Sequence, residues 1–360
     1  MLKAISDICR IVEHKNTMPI LADIRIISED SGQVKFTGTD LDIALTTYSH
    51  TPTAGFPDDG ICVPAKALQA AAKAIGPGAS LRYEGEAVTV YNDAQEIRLK
   101  LTLPGSDFPC APELDTHWSS APCPVGAALL SALKYCYAAV STEERRYYLN
   151  GVCLQTKGDL WAMIATDGHR LRCVKADAGM AHGAHDNSYI IPRKTVKTLL
   201  DIKRTVKHVF IRPDSVWCIF VFDDGSFMES KLIDGSFPEW ERVVPNGEGD
   251  IATFTDRKAA LKTIKGMISF IGKGAPVKIE SHDAGLQLTM QNDETDMAST
   301  FDGTYEGEAF GLNATHLMQE IADCEDELKL IVKSPCGPVI TVHSGDCQRF
   351  GIVMPLRREA

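Results

Sequence analysis

Asp167 and His169 stand two residues apart in Thr166-Asp167-Gly168-His169-Arg170, and chemistry in this chain could begin there. An aspartate and a histidine so placed can act as a general acid and base near neutral pH, which would make the chain a hydrolase or a transferase. The same five residues also make a tight strand-end turn, in which Asp and Gly serve for their backbone tolerance. No nucleophile, metal triad or glycine-rich phosphate loop accompanies the pair, so the turn is the stronger reading.

The elements around the pair set its position. A basic, doubly aromatic loop (Arg145, Arg146, Tyr147, Tyr148) runs into an alternating strand, Leu149 to Thr156, followed by a Lys157-Gly158-Asp159 turn and a second strand, Leu160 to Ala165. Two alternating runs joined by a short Gly-containing turn predict a hairpin. Its terminal Thr-Asp recurs elsewhere. Thr39-Asp40 lies about 127 positions earlier (40 to 167), and Asn292-Asp293 about 126 later (167 to 293). Asp107-Phe108-Pro109 is echoed by Ser236-Phe237-Pro238, about 129 residues on (109 to 238).

Amphipathic helices share this long period. A first helix is expected near 2–14, 125–140 and 257–271, and a second near 65–75, 193–202 and 314–322. Pro64 and Pro192 open two of the second helices, and Asn313 stands at the capping position of the third. Strands come in runs between the helices, which argues for antiparallel sheet and against a doubly wound α/β fold. The Pro- and Gly-rich stretches 110–124 and 244–250 read as linkers. The fold class is therefore α+β, with three repeated domains at 1–117, 118–245 and 246–360, each carrying two helices on antiparallel sheet.

Composition narrows the function classes. With 44% hydrophobic and 24% charged residues the chain reads as a soluble globular protein. No apolar run approaches the roughly 20 residues that span a bilayer, and the start has no signal-peptide character. The cytoplasm is the expected compartment, because the 11 cysteines are scattered singly, with neither C-x-x-C nor zinc spacing. No cofactor or metal is expected.

A net charge of −11 would argue against nucleic acid were the charges not segregated. Segment 192–208 carries Arg193, Lys194, Lys197, Lys203, Arg204 and Lys207 against Asp201 alone. Segment 256–273 carries Arg257, Lys258, Lys262, Lys265 and Lys273 against Asp256. The second helix of the first repeat holds Lys66 and Lys73 and no acid. Acids gather instead in turns: Asp58-Asp59, Asp223-Asp224, Asp293-Glu294, Glu306 and Glu308. On one helix such lysines would be ordinary solvated surface. Repeated over several helices of one unit, they predict a phosphate-facing surface without base readout.

With RYYLNG, ATDGHRL, SFPEWERVVP and VMPLR in view, the chain resembles the bacterial sliding clamps, the beta subunits of DNA polymerase III. The likeness runs over nearly all of the sequence and is strongest at 147–171 and 237–245. It implies a non-catalytic processivity factor: three clamp domains forming half of a ring, closed by a second copy around duplex DNA, without sequence preference. It also implies a cleft for short linear motifs of polymerase and clamp-loader subunits. Onto that cleft map Leu149, Thr166, Gly168, His169, Arg170, Leu171, Pro238, Arg242, Val243, Ile352, Met354, Pro355 and Leu356. Thr, His and Arg would fix orientation at its rim.

The family's DNA contacts map onto Lys15, Lys66, Lys73, Arg146, Tyr147, Tyr148, Arg193, Lys194 and Lys197, and its head-to-tail dimer contacts onto Met267, Ile268 and Ile271. A clamp-like scaffold that recruits partners without encircling DNA is the alternative of the same class. Some features depart from the family. Met1-Leu2 lead almost directly into helix, so the family's opening strand is expected to be missing, leaving a sheet short of an edge or a neighbouring strand rearranged. Glu143-Glu144 bring negative charge beside the Arg-Tyr-Tyr loop, the segment 314–327 has no Lys or Arg, and Arg358-Glu359-Ala360 extend past the usual end.

Overall fold

A computed structural model of the chain describes residues 1–13, 17–29, 31–101, 103–109, 119–120, 125–157, 160–177, 187–212, 216–324, 326–343 and 349–356. The first repeat comprises α1 (Leu2–Ile8), β1 (Asp23–Ser28), β2 (Gln33–Thr39), β3 (Ile43–His50), β4 (Thr53–Ala54), β5 (Ile61–Pro64), α2 (Ala65–Ile75), β6 (Ser80–Tyr83), β7 (Ala87–Tyr91) and β8 (Glu96–Lys100). The second has β9 (Ser119–Ser120), α3 (Gly126–Tyr137), β10 (Gly151–Lys157), β11 (Leu160–Thr166), β12 (Arg170–Asp177), β13 (Asn187–Pro192), α4 (Arg193–Ile202), β14 (Val206–Ile211), β15 (Trp217–Phe222) and β16 (Phe227–Lys231). The third has β17 (Asp250–Phe254), α5 (Arg257–Ile271), β18 (Pro276–His282), β19 (Gly285–Gln291), β20 (Asp296–Phe301), β21 (Gly303–Thr304), β22 (Phe310–Asn313), α6 (Ala314–Asp323), β23 (Leu328–Val332), β24 (Val339–His343) and β25 (Arg349–Val353). Each repeat runs helix, four or five strands, second helix and three strands, with a strand before the first helix in the second and third repeats, which is the α+β class.

Local chemistry accounts for the helix ends. Alanine-rich α2 starts at Pro64 and stops at Gly76, whose φ of +81° disfavours a side chain. Asp256 accepts from Ala259 N at the head of α5, and Asn313 accepts from Thr315 N and His316 N at the head of α6. The first helix is shorter than its pattern predicts. It ends at Ile8, and β-branched Ile11 and Val12 continue as buried turns.

These elements assemble into two compact units, residues 1–130 with 194–232, and residues 131–193 with 233–360. The first unit holds an eight-stranded sheet, ordered β5-β1-β2-β3-β16-β15-β14-β9, and a four-stranded one, β4-β6-β7-β8. Its central joint is β3 on β16, with Ala44 opposite Glu229. Glu229 is 3% exposed, and burial pushes its carboxyl pKa up to about 8 against the pull of Lys35. Arg204, expected on the basic surface, is instead buried and ion-paired: its Nε and Nη2 donate to Asp7 Oδ2 at 2.9 and 2.7 Å, and it also pairs with Asp224. In the small sheet β4 pairs directly with β6, in parallel, Thr53 opposite Leu81.

The second unit holds a nine-stranded sheet, β13-β10-β11-β12-β25-β24-β23-β17-β21, and a four-stranded one, β20-β19-β18-β22. Here β17 stands between β23 and β21. The joint between repeats is β12 on β25, with Leu171 opposite Ile352 and Arg172 opposite Gly351. Under it lies a buried polar cluster. Arg172, fully buried, donates to Glu320 Oε1 (2.8 Å) and to the Tyr135 carbonyl (3.0 Å), and pairs with Asp323. Glu320 Oε2 accepts from Thr341 Oγ1 at 2.9 Å and lies 3.3 Å from His343 Nε2. Burial alone would raise the Glu320 carboxyl, but Arg172 and His343 outweigh it and hold the pKa at about 2. A Cβ on Gly351 would run into Thr341 Oγ1 and come 3.0 Å from Glu320 Oε2, so only glycine leaves room for the cluster.

Candidate functional site

The Thr166–Arg170 turn is built from its own side chains. Thr166 Oγ1 donates to the Arg170 carbonyl and accepts from Gly168 N (3.1 Å), while Asp167 Oδ1 accepts from His169 N and Arg170 N at 2.9 and 3.0 Å. Asp167 Oδ2 accepts from Arg170 Nε at 3.0 Å. The same pattern closes the β2–β3 turn, where Asp40 Oδ1 accepts from Asp42 N and Ile43 N. It recurs at β19–β20 with Asn292 as acceptor for Glu294 N and Thr295 N. An asparagine does the work of Asp167 there, so the carboxylate caps a turn rather than serving as an acid.

Gly168 has φ +89°, and a Cβ on it would lie 2.5 Å from Arg146 Nη1. Glycine is needed twice over, for the backbone and for the guanidinium laid across it. Leu41 takes the equivalent place in the first repeat with φ +79°.

Beside this turn an apolar cleft of about 250 Å³ opens between β12, β25 and the segment 238–243. Nine of the expected cleft residues line it: Leu149, Thr166, Gly168, Arg170, Leu171, Pro238, Val243, Ile352 and Met354. Four lie outside the lining. His169 faces a neighbouring polar cavity of about 470 Å³ with Tyr137, Thr142 and Arg193. Arg242 pairs with Glu239 and is exposed, Leu356 N donates to the Gly311 carbonyl, and Pro355 is half-buried.

Sequence reasoning missed Trp240 and Glu239, which form part of the cleft wall. Trp240 is 8% exposed, and its Nε1 donates to Gln155 Oε1 at 2.7 Å. A tryptophan inside SFPEW was the available signal. Arg146 and Tyr148, expected on DNA, also line the cleft. Arg170 is held in place at the cleft, three of its five N–H donors being engaged by Asp167, Gln319 and the Ala138 carbonyl.

The two joints between repeats share one backbone scheme and differ in chemistry. Met354 N donates to the His169 carbonyl at 2.9 Å, as Lys231 N does to Asp42 at 2.8 Å. Where the second joint has Ile352 and Met354, the first has buried Glu229 and a Lys231–Asp42 ion pair at 2.9 Å. Only the second is apolar enough to seat Leu- or Phe-like groups.

The cations expected on DNA divide by environment. Lys66 and Lys73, two turns apart, are exposed on α2, as is Lys197 on α4. Lys258, Lys262 and Lys265 form an exposed i, i+4, i+7 stripe on α5. Lys194 is tied to Asp40 and to Glu13, its pKa lowered by burial and raised on balance by those carboxylates. Arg193 lies over the Tyr137 ring, 5.5 Å from its centroid. Arg146 is held by Glu143, the acid expected to offset this loop. Tyr147 is 54% exposed and meets Tyr148 edge-on at 5.9 Å. Arg257 is turned inward, donating to the Ile321 and Ala322 carbonyls at the end of α6. Lys15 and the 358–360 tail lie outside the described residues.

One of the three expected dimer contacts needs correction. Met267 is 1% exposed and belongs to the core of the third repeat, while Ile268 and Ile271 are half-buried against it. At the same helix end Phe270 is 71% exposed. A buried methionine cannot reach a second chain; a protruding phenylalanine can.

Comparison with known proteins shows the family and the fold. The family model for the DNA polymerase III beta subunit, N-terminal domain, matches residues 1–112, and that for its central domain matches residues 127–239. The beta sliding clamp of Caulobacter vibrioides is 29% identical over 377 residues, covering 99% of this chain and 97% of that protein. The beta sliding clamp of Pseudomonas putida is 26% identical over 371 residues, with the same coverage. Among solved structures, the C. crescentus beta sliding clamp, with polyethylene glycol at the region proposed for beta-motif tethering, superposes with TM-score 0.84 at 28% identity, covering 99% of this chain and 96% of that one. The sliding clamp of Bartonella birtlesii bound to griselimycin gives 0.85 at 26%, with 99% and 97% coverage. The chain belongs to the DNA polymerase III beta subunit family, the beta sliding clamps.

Proposed function

We infer that this chain is a DNA sliding clamp that keeps a polymerase on its template, acting as a non-catalytic tether in the cytoplasm. Its three domains are taken as residues 1–117, 118–245 and 246–360, and two copies close head to tail around duplex DNA. The observation that carries the reading is the cleft. Nine expected residues from three distant segments line one apolar cavity, in a chain that aligns with sliding clamps over 99% of its length.

In this reading the cleft takes a short linear motif of the polymerase or the clamp loader, its apolar groups seated against Leu171, Ile352, Met354 and Trp240. Exposed lysines of α2, α4 and α5 meet the phosphates. Long-range attraction to phosphate is non-directional and costs little to shift along the duplex, so sliding is permitted where base-specific bonds would pin the ring. Retention is topological. Loaded chains should stay on nicked circular DNA through a high-salt wash and leave when the circle is cut once. Equal loss from circular and linear DNA would overturn the ring and favour a scaffold that recruits partners without encircling.

A further inference from the structure

A row of apolar residues leaves the cleft and crosses the sheet of the third repeat. Strand register sets Leu171 opposite Ile352, Ile352 opposite Ile340, Ile340 opposite Ile331 and Ile331 opposite Ile251. Register partners share one face. Here it is the face turned away from the core, because the residues alternating with them, Ala252, Leu330, Val332, Val339 and Val353, are the ones packed inside. Ile340 and Ile331 are half-buried, and Ile251 is 50% exposed. Neither Ile340 nor Ile331 packs on the third repeat's core or on the cluster around Trp240. Lys329 and Lys333 flank Ile331 on the same face of β23. Lys329 is paired with Glu327 at 3.1 Å, whereas Lys333 Nζ has no hydrogen-bond partner among the described residues. The matching row of the second repeat begins at Glu229, opposite a fully buried Ile219, and offers no such strip.

We propose that this row is a docking strip for the stretch of partner polypeptide flanking the linear motif, an extended segment that carries apolar residues and a carboxylate. This rests on the cleft of the functional reading and adds a second determinant of which partners bind. Ile352 lines the cleft and also begins the strip, so one extended chain can occupy both. Three inter-strand spacings separate Ile352 from Ile251, about 14 Å, which is the reach of about four extended residues. Two side chains of such a flank cover Ile340 and Ile331, while the one between them reaches past the edge of the row toward Lys333. An ammonium without a counter-ion favours a carboxylate there, and its four-carbon stem lets it turn to meet one. A basic flank would face two lysines instead. The strip therefore selects apolar and acidic flanks over basic ones.

Synthetic peptides test the strip on the full chain. The short probe is Leu-Ser-Leu-Phe, sized to the cleft; the long probes carry Ser-Ile-Glu-Ile at its N-terminus or at its C-terminus. Calorimetry should show one long probe binding about tenfold tighter than the short one, the worth of two partly buried isoleucines. A Ser-Ser-Ser-Ser extension should add nothing, and Ser-Ile-Lys-Ile should add less than its Glu counterpart. Ile331→Thr with Ile340→Thr keeps β-branched residues in both strands. That double variant should erase the gain and bind the short probe as wild type does, which shows it folded. Lys333→Glu should reverse the preference between Glu and Lys flanks. No gain from either extension on wild type overturns the strip without recourse to a variant, and so does a gain that the double variant keeps. A double variant that sediments at lower mass than wild type would also overturn it, making the row a contact between copies. Failure of the short probe to bind wild type would instead sink the cleft reading itself.

Discussion

Neutralising Glu320 should loosen the joint that carries the cleft. Arg172 is fully buried beneath the β12–β25 seam, and its other carboxylate partner, Asp323, is 33% exposed and so the weaker one. Removing one partner of a buried pair costs about 3–5 kcal/mol, because the other charge stays in a low dielectric. Glu320→Gln retains an oxygen for Arg172 Nε and leaves Asp323 in place, so the low end applies, about 3 kcal/mol. Replacing both members with apolar groups, Arg172→Met with Glu320→Leu, removes the stranded charge and should recover most of that loss. Urea unfolding followed by tryptophan fluorescence suits the measurement, since Trp161 and Trp240 both lie in this unit. The wild-type contribution should also depend on acid. A folded pKa of about 2 against 4.5 unfolded means the stabilisation is complete above about pH 4.5 and disappears as pH falls toward 2. A Glu320→Gln loss under about 1 kcal/mol, or an apolar pair no better than the single variant, would refute the reasoning.

The remaining expectations can be stated briefly. Glu229 has the opposite sign: its folded pKa near 8 exceeds the usual 4.5, so stability is full below about pH 4.5 and falls as pH rises to 8. Glu229→Gln should therefore stabilise by on the order of 3 kcal/mol at pH 8 and change little at pH 4, read as urea midpoints. Gly168→Ala places a side chain at φ +89° and against Arg146; calorimetry with a motif peptide should show binding lost, with folding stability reduced by about 1–2 kcal/mol. Met354→Ala, at a position 40% exposed, should weaken the same peptide about tenfold while barely moving the unfolding midpoint. Reversing Lys66, Lys73 and Lys197 to Glu should shorten residence on circular DNA and flatten its salt dependence by about three phosphate contacts; an unchanged slope would remove these residues from the DNA face.

Periodic signals made much of this legible. The helices at 65–75, 193–202 and 257–271 stand where the pattern of apolar residues and caps puts them, because propensity, periodicity and capping agree there. The cleft was readable in outline from the clamp resemblance, with nine of thirteen residues lining it. What escaped was side-chain direction. Arg204 and Arg257 look like surface cations in sequence, but one is buried against Asp7 and the other closes the end of α6. Met267 and Phe270 are three apart on one helix, and composition does not say which points inward. The Arg172–Glu320 pair, 148 residues apart, left no local trace, since buried ion pairs depend on tertiary neighbours rather than on spacing.

The first repeat carries a soft seam. Where β17 stands between two neighbours in the third repeat, β4 meets β6 through a two-residue parallel ladder. Short parallel pairings are the weakest kind. Amides of β4 should exchange with solvent sooner than those of β17, and mechanical load arriving through β8 would be shed at that ladder before the eight-stranded sheet yields.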